Sequence, residues 1–147
     1  MLRREVISMM ISQTTEYALR AVVCLAQRPQ RPLGTKAISN VTRVPPGYLS
    51  KVLQKLTRAG LVTSSPGRSG GFRLARQPAD IRVIEVVNAV DPIQRITTCP
   101  LGLESHGSNL CALHRRLDDD LARTEQAFAS TTIIEMLSDR TATPPFG

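Results

Sequence analysis

The sequence predicts a mainly α-helical chain that carries one small β-hairpin. Three observations support this fold class. Two short helical patterns are separated by a turn with two consecutive prolines, a glycine-rich hairpin follows them directly, and a long amphipathic pattern comes later in the chain. Together they predict a winged helix-turn-helix domain followed by a long C-terminal helix, an arrangement that fits a chain of 147 residues.

The first two helices are predicted from apolar spacing and from nearby prolines. Residues 12–27 carry an apolar stripe at helical spacing, and Pro29 and Pro32 mark the loop that follows. Residues 35–41 form a second helical pattern, for which Thr35 is the predicted N-cap. The stripe of the first helix comprises Ala18, Ala21, Val22, Leu25 and Ala26.

A third helix is predicted over residues 46–58, after a turn at residues 44–47. Because a proline suits the first turn of a helix but not its interior, Pro46 is expected to open this helix, and Gly60 is its expected C-terminal cap. Apolar residues at i, i+3, i+4 and i+7 define one buried face, namely Leu49, Val52, Leu53 and Leu56. The opposite face carries Ser50, Lys51, Gln54, Lys55 and Arg58.

The hairpin is predicted as two short strands, residues 61–63 and 72–74, joined by a turn at residues 66–71. Three glycines in this turn permit positive φ angles and a close approach of the backbone to a phosphate. Arg68 at the tip and Arg73 in the second strand add positive charge for such a contact. A nucleotide phosphate loop would need glycines that open a helix and a Lys-Ser or Lys-Thr pair, so a wing is the better interpretation.

The C-terminal part is predicted to be helical with one irregular loop. Residues 81–90 indicate a short strand that passes into a helix, and the long helix is expected to begin at Leu110 with Leu113, Leu117, Leu121 and Phe128 on its apolar stripe. A capping box at Thr132 and Glu135 predicts a last short helix. The expected division is an N-terminal extension (1–11), the winged domain (12–92), a cysteine-containing loop (93–109), a dimerisation helix with a short helix (110–140) and a frayed tail (141–147).

Charge is divided unevenly along the chain. Residues 1–76 contain 13 Lys and Arg against 2 acidic residues, whereas the remaining residues contain 6 Arg against 10 acidic residues. A basic half joined to a mildly acidic half indicates a surface for a polyanion, and the helix-turn-helix pattern makes double-stranded DNA the expected partner. A merely solvated basic surface is the alternative.

Several other classes of protein are disfavoured. No nucleophile, base and orienting group stand at recognisable spacings, so the chain is not expected to be an enzyme. No apolar run approaches the roughly 18 residues of a membrane span, and the N-terminal residues are too polar for a signal peptide. We therefore expect a cytoplasmic protein whose three cysteines are reduced or bound to metal.

The long amphipathic helix stands outside the predicted winged domain, so its apolar stripe needs a partner. A homodimer is the simplest solution, because two-fold protein symmetry matches a pseudo-palindromic operator. Packing of this helix back on its own domain is the alternative.

Four runs of sequence resemble one family of bacterial winged-helix transcription regulators: TTEYALRAVVCLA, GYLSKVLQKLTRAGLV, GRSGGFRLAR and IRVIEVVNAVD. That family includes the iron–sulfur cluster assembly regulator, the nitric-oxide-sensing repressor and the cysteine-metabolism repressor. The resemblance covers residues 11–137 and implies a homodimeric, sequence-specific regulator crossed through its long helix. It further implies repression, with iron–sulfur status, nitric oxide or redox state as the signal.

The resemblance also implies DNA contacts. Tyr48, Ser50 and Lys51 fall where the family reads bases, and residues 67–71 fall where its wing enters the minor groove. The family usually has an arginine where Pro66 stands here, so Arg68 is expected to take over that contact. The full predicted set is Thr35, Lys36, Tyr48, Ser50, Lys51, Gln54, Lys55, Arg58, Gly67, Arg68, Ser69, Gly70, Gly71 and Arg73.

A metal or redox site is predicted around the loop before the long helix. Members of the family that bind a cluster carry three cysteines there, whereas this chain matches the first and last with Cys99 and Cys111 and lacks the middle one. His106 lies between them, and Glu16 matches a carboxylate that some members donate from the partner subunit. Because histidine and carboxylate can replace thiolate at some iron–sulfur ligand positions, these four residues are a candidate ligand set.

Three alternatives stay open at this site. Zinc could be held by Cys99, His106, Cys111 and His114, although the spacing is not that of common zinc fingers. The two thiols could act as a redox switch without a cofactor, or be inert. Glu16 could be an ordinary first-turn residue that complements the helix dipole. Cys24 lies in an apolar run and is expected to be a small core residue.

Overall fold

The computed structural model describes residues 11–106 and 109–146. It contains a mainly α-helical fold with one two-stranded antiparallel hairpin, as predicted. The extension predicted for residues 1–11 lies, except for Ile11, outside the described residues. The elements are α1 (Gln13–Gln27), α2 (Thr35–Thr42), α3 (Pro46–Arg58), β1 (Val62–Ser65), β2 (Gly71–Leu74), a short 3-10 helix (Pro78–Asp80), α4 (Val83–Val90), α5 (Ala112–Ser130) and α6 (Ile133–Ser138).

Helix α1 is the central element of the domain. Ser12 caps it, because its Oγ accepts a hydrogen bond from the backbone N–H of Thr15 at 3.1 Å. All five residues of the predicted stripe are buried, and they pack in one core with apolar residues of α3 and α4. The prediction of this helix and of its apolar face is confirmed.

The helix pair α2 and α3 follows, with two differences at the boundaries of α2. Thr35 is the first helical residue rather than the N-cap, because the extended backbone of Gly34 (φ −72°, ψ 162°) occupies the cap position. The helix continues to Thr42, one residue beyond the predicted Val41, and the left-handed φ of 60° at Arg43 ends it. The bounds predicted for α3 are confirmed, and its four apolar residues are buried.

Strands β1 and β2 pair in antiparallel register from Val62 opposite Leu74 to Ser65 opposite Gly71. Both strands extend further into the turn than the predicted residues 61–63 and 72–74. Leu33, just before α2, adds a short bridge to Phe72, with N···O distances of 2.9 and 2.8 Å. This bridge joins the hairpin, which we call the wing, to the start of α2.

The C-terminal elements differ from the prediction in three places. Residues 81–82 form no strand, since Arg82 makes only an isolated bridge with Thr132. Helix α5 begins at Ala112 rather than Leu110, with Cys111 as its N-cap. The tail was expected to be frayed, but Phe146 is partly buried and packs against the core. The predicted capping box at the start of α6 is confirmed.

Helix α5 is unusual in that none of its 19 residues is buried. Towards its end, Phe128 packs against the core, and Arg82 donates a hydrogen bond to the carbonyl of Ala129 at 3.1 Å. Near its beginning, by contrast, Leu113 and Leu117 are 63% and 47% exposed. Within the described residues, no helix has the length and apolar character needed to cross a membrane.

Candidate DNA interface and cysteine loop

The face of α3 that points away from the core is polar and open. Tyr48 at its start is 54% exposed, and Ser50, Lys51, Gln54 and Arg58 are exposed along the same helix. Since Leu49, Val52, Leu53 and Leu56 hold the other face in the core, the orientation of these side chains is fixed by packing. An exposed helix that presents hydrogen-bonding and cationic side chains can enter a major groove.

Lys55 is oriented differently from the other predicted DNA contacts of α3. Its Nζ donates a hydrogen bond to the carbonyl of Val90 at 3.3 Å, and Val90 is the last residue of α4. A cation at this position complements the partial negative charge of a helix C-terminus. Lys55 therefore links α3 to α4. The spacing of residues along α3 alone did not indicate this contact.

The wing and the start of α2 line one shared groove of about 620 Å³. Arg31, in the loop before α2, also lines it, and sequence analysis did not single this residue out. The only signal in the sequence was its place in the basic half of the chain. The predicted contacts that this groove brings together are Thr35, Gly67, Arg68, Ser69, Gly70 and Gly71. Lys36 and Arg73 are exposed but do not line this groove, and Arg73 lines a separate cavity next to the 3-10 helix.

Residues at the start of α2, residues of the wing and two arginines, Arg31 and Arg68, therefore line a single concavity. No acidic residue lines it among the described residues. Helix N-termini and arginines are the groups that proteins use to hold DNA phosphates. The groove is chemically suited to a phosphate backbone.

A second group of residues supports the start of α3 from behind. The rings of Tyr17 and Tyr48 meet edge to face with centroids 6.0 Å apart. The guanidinium of Arg20 lies 5.5 Å from the Tyr17 ring centroid and donates to the carbonyl of Thr42 at 3.1 Å. Arg20 also forms a 2.7 Å ion pair with Glu16. Helix α1 thereby braces both the turn and the first residue predicted to read bases.

The cysteine loop lies at the beginning of α5. Cys99 and Cys111 are free thiols, each partly buried, and the Sγ of Cys111 lies 3.4 Å from Nδ1 of His114. The Nδ1 atom of His106 is buried and has no hydrogen-bond partner among the described residues. A buried ring nitrogen without a partner is costly, so this atom is available to a ligand.

The four predicted metal ligands are not grouped within one chain. Among the described residues, which include all four, no cluster of three or more His, Cys, Asp and Glu side chains could hold a metal ion. Glu16 lies in the first turn of α1, where its carboxylate is paired with Arg20. The structure therefore brings Cys111 and His114 together and leaves Cys99, His106 and Glu16 apart from them. The predicted ligand set stays a prediction.

Cys24 is a core residue, as predicted. Its side chain is completely buried in α1, and burial raises the pKa of its thiol although Arg28 lies nearby. Such a thiol is a poor ligand and a poor nucleophile.

A winged helix-turn-helix that presents a polar second helix and a cationic wing groove defines a DNA-binding protein. Comparison with known families gives the particular class. The family model named Rrf2, described as an iron-dependent transcriptional regulator, matches residues 11–139. The chain belongs to the Rrf2 family and is a DNA-binding transcriptional regulator rather than an enzyme, which confirms the family inferred from the sequence.

Individual relatives agree with this assignment. The chain is 30% identical over 132 residues to the HTH-type transcriptional regulator IscR of Vibrio atlanticus, a match that covers 89% of this chain and 76% of that protein. It is 33% identical over 92 residues to the regulator NsrR of Shouchella clausii, covering 62% of each. The solved structure of T. potens IscR matches with a TM-score of 0.74 at 24% identity, over 91% of this chain and 90% of that one. At that identity the structural match supports the fold alone.

Proposed function

We propose that this regulator is a homodimeric repressor whose DNA binding is switched by chemistry at Cys99 and Cys111. One observation carries the proposal. The end of α5 that presents exposed leucines is also the end at which the cysteine loop lies. A change in the loop would therefore act directly on the surface through which two protomers meet.

The exposed leucines support dimerisation. Leu113 and Leu117 stand one helical turn apart on α5, and their exposure leaves an apolar strip on a helix whose other half packs on its own domain. Burial of such side chains against a second copy removes apolar area from water and stabilises the dimer. Sedimentation equilibrium of the full chain tests this step, and a monomer at micromolar concentration would refute it.

Repression follows from how such a dimer would occupy DNA. Two copies of α3 related by two-fold symmetry would read two half-sites of a pseudo-palindrome, about one helical turn apart. A protein held across a promoter in this way excludes polymerase. We expect affinity to fall steeply with salt, because Lys and Arg side chains displace counterions from phosphates. Gel shifts at increasing salt test the salt dependence. Equal affinity for promoter and bulk DNA would refute sequence-specific binding.

An iron–sulfur cluster is the leading candidate for the switch. Thiolates at Cys99 and Cys111 are the ligand type such clusters prefer, and the unpartnered Nδ1 of His106 is a third donor of suitable type. The fourth donor would be Glu16 of the partner subunit. Because Cys99, His106 and Cys111 form no three-ligand group among the described residues, binding of a cluster would have to draw these three side chains together. The 2.7 Å pairing with Arg20 uses Oε1 of Glu16, so its other carboxylate oxygen could serve as the ligand atom. A bound cluster would supply reactivity towards oxidants and nitric oxide.

The test is an absorption spectrum with iron and acid-labile sulfide assays on protein purified without oxygen. Broad absorption between roughly 300 and 450 nm with equal iron and sulfide is expected. Substitution of Cys99, Cys111, His106 or Glu16 by alanine should then reduce the iron content, whereas Cys24→Ala should not. A colourless, iron-free protein would refute the cluster.

A thiol switch without a cofactor is the second candidate, and one contact favours it. The imidazole of His114 lies 3.4 Å from the Cys111 sulfur and can take the proton of that thiol when it reacts. Treatment of iron-free protein with peroxide, followed by thiol titration and gel shifts, tests this candidate. Unchanged DNA affinity after loss of the thiols would refute it. Zinc analysis of the same sample tests the remaining metal alternative.

A further inference from the structure

One carboxylate on α5 holds the start of the cysteine loop. Asp118 accepts two hydrogen bonds from Arg95, from Nε at 2.7 Å and from Nη2 at 2.8 Å, and a third from the backbone N–H of Ile96 at 2.9 Å. Arg95 also lies 3.6 Å from Glu125, one further carboxylate on the same helix. Among residues 93–106, every hydrogen bond that reaches α5 ends on Asp118.

The two residues that this contact joins, Ile96 and Asp118, flank the two cysteines in the sequence. Ile96 precedes Cys99 by three residues, and Asp118 follows Cys111 by seven residues, or about two helical turns. The contact therefore closes the chain between Ile96 and Asp118 and holds the Cys99 side of the loop on the helix that begins at Cys111. Ile93 packs on the core at the beginning of the loop, and the Asp118 contact extends the attachment to Ile96.

The contact is also stronger than an ordinary surface ion pair. The two oxygens of Asp118 receive three donors, two of them from a guanidinium in bidentate geometry, and the side chain is only 16% exposed. In agreement with this, the hydrogen bonds from Arg95 lower the pKa of Asp118 to about 2. The carboxylate is ionised, and thus able to hold the loop, at any pH at which the protein would function.

We propose that Asp118 is the positioning residue of the cysteine loop: through Arg95 and the Ile96 N–H it holds the segment that leads to Cys99 against α5. Asp118 itself touches neither thiol. It limits the positions that Cys99 can adopt relative to Cys111. A change in the conformation of the loop would pass through this contact to α5, the helix that carries the exposed leucines. This inference rests on the proposed switching role of the two cysteines.

The same helix offers a matched control. Asp120 forms a 2.7 Å ion pair with Arg123 at i,i+3, but both side chains are well exposed and neither contacts the loop. An Asp→Asn change at either position alters charge and helix composition equally. Only the change at Asp118 weakens the hold on the loop.

The experiment measures how fast N-ethylmaleimide modifies each cysteine in the full-length, reduced protein in the presence of a chelator. Peptide mass spectrometry separates the three sites. In Asp118→Asn we expect Cys99 to react about tenfold faster, which is the change in a local opening equilibrium expected when a charge-assisted hydrogen bond becomes a neutral one. Buried Cys24 reports on the fold, and its rate should stay unchanged.

A second variant keeps the inference testable if Asp118→Asn folds poorly. Arg95→Gln removes the guanidinium but leaves the Ile96 N–H bond to Asp118, so its effect on Cys99 should fall between those of Asp118→Asn and the wild type. Asp120→Asn should match the wild type. The proposal would be overturned if Cys99 reacted at the wild-type rate in both Asp118→Asn and Arg95→Gln. Equal acceleration in these two variants and in Asp120→Asn would also overturn it.

Gel shifts on the same variants separate this inference from the proposed function. Basal DNA affinity should change less than twofold in Asp118→Asn, and the difference in affinity between reduced and peroxide-treated protein should shrink. A wild-type protein whose affinity never responds to the state of its thiols or iron would refute the switch. The maleimide rates would still decide whether Asp118 positions Cys99.

Discussion

Gly71 is the residue at which the attachment of the wing can be tested most directly. It opens β2 with a φ of +136°, which side-chain-bearing residues rarely adopt. A Cβ at this position would lie 2.6 Å from the backbone carbonyl of Leu33 and 2.9 Å from the nitrogen of Gly34. These are backbone atoms and cannot rotate away, so Gly71→Ala must push β2 off the segment before α2.

The cost can be worked out from the contacts that would be lost. An L-residue forced into this region of φ costs about 1–3 kcal/mol. Separation of β2 from Leu33 breaks the two bridge hydrogen bonds with Phe72, which together contribute roughly 1–3 kcal/mol. We therefore expect Gly71→Ala to lower the free energy of unfolding by about 2–6 kcal/mol.

Gly60→Ala is the matched control. Gly60 also has a positive φ, of +75°, but a Cβ there would meet nothing within 4 Å. Its cost should be limited to backbone strain of about 1–2 kcal/mol. Urea unfolding followed by circular dichroism at one fixed protein concentration gives both values. Equal destabilisation by the two variants would refute the idea that Gly71 is needed for close approach to Leu33.

Three further predictions concern DNA binding, assembly and pH. Lys51→Ala should reduce discrimination between operator and mutated operators, whereas Arg68→Ala should weaken binding to all sequences and lower the salt slope by about 1. The same loss for both variants would contradict this assignment. Leu113→Glu combined with Leu117→Glu should convert the proposed dimer to a monomer in sedimentation equilibrium without changing the circular dichroism spectrum, and a persistent dimer would place the interface elsewhere. Because the pKa of Asp118 is lowered to about 2 from its ordinary value, its contribution to stability is complete above pH ~4 and is lost as pH falls towards 2. The difference in free energy of unfolding between wild type and Asp118→Asn, measured by urea unfolding, should therefore shrink as pH falls over that range. A constant difference would contradict a stabilising role of the ionised Asp118.

The sequence predicted the elements whose causes are local. Helix α3 was placed at its observed bounds, because Pro46 opens it and its apolar residues follow helical spacing. The stripe of α1 was predicted from the same helical spacing, and the hairpin from the three glycines of the turn between its two short strands. The capping box formed by Thr132 and Glu135 was likewise predicted, because its two residues are only three positions apart.

What the sequence did not predict depends on contacts between distant residues. Lys55 reaches Val90 across 35 positions, and Arg95 reaches Asp118 across 23, separations that no local pattern encodes. The packing of Phe146 on the core has the same character, since a lone aromatic residue in a proline-containing tail gives no sign of what it will touch. At Arg43 the left-handed turn was missed because arginine has no preference for that conformation.

The two halves of α5 suggest how a signal at the cysteines could reach DNA in the proposed dimer. Near its end, Arg82 and Phe128 fix the helix to the winged domain, so the domain must follow when the helix moves. Its first half carries the exposed leucines, and Asp118, which follows Leu117 directly, holds the cysteine loop on the same helix. A rigid helix converts a small rotation at one end into a displacement at the other. Since two recognition helices must stand about one turn of DNA apart, a shift of a few ångströms there is enough to lose one half-site.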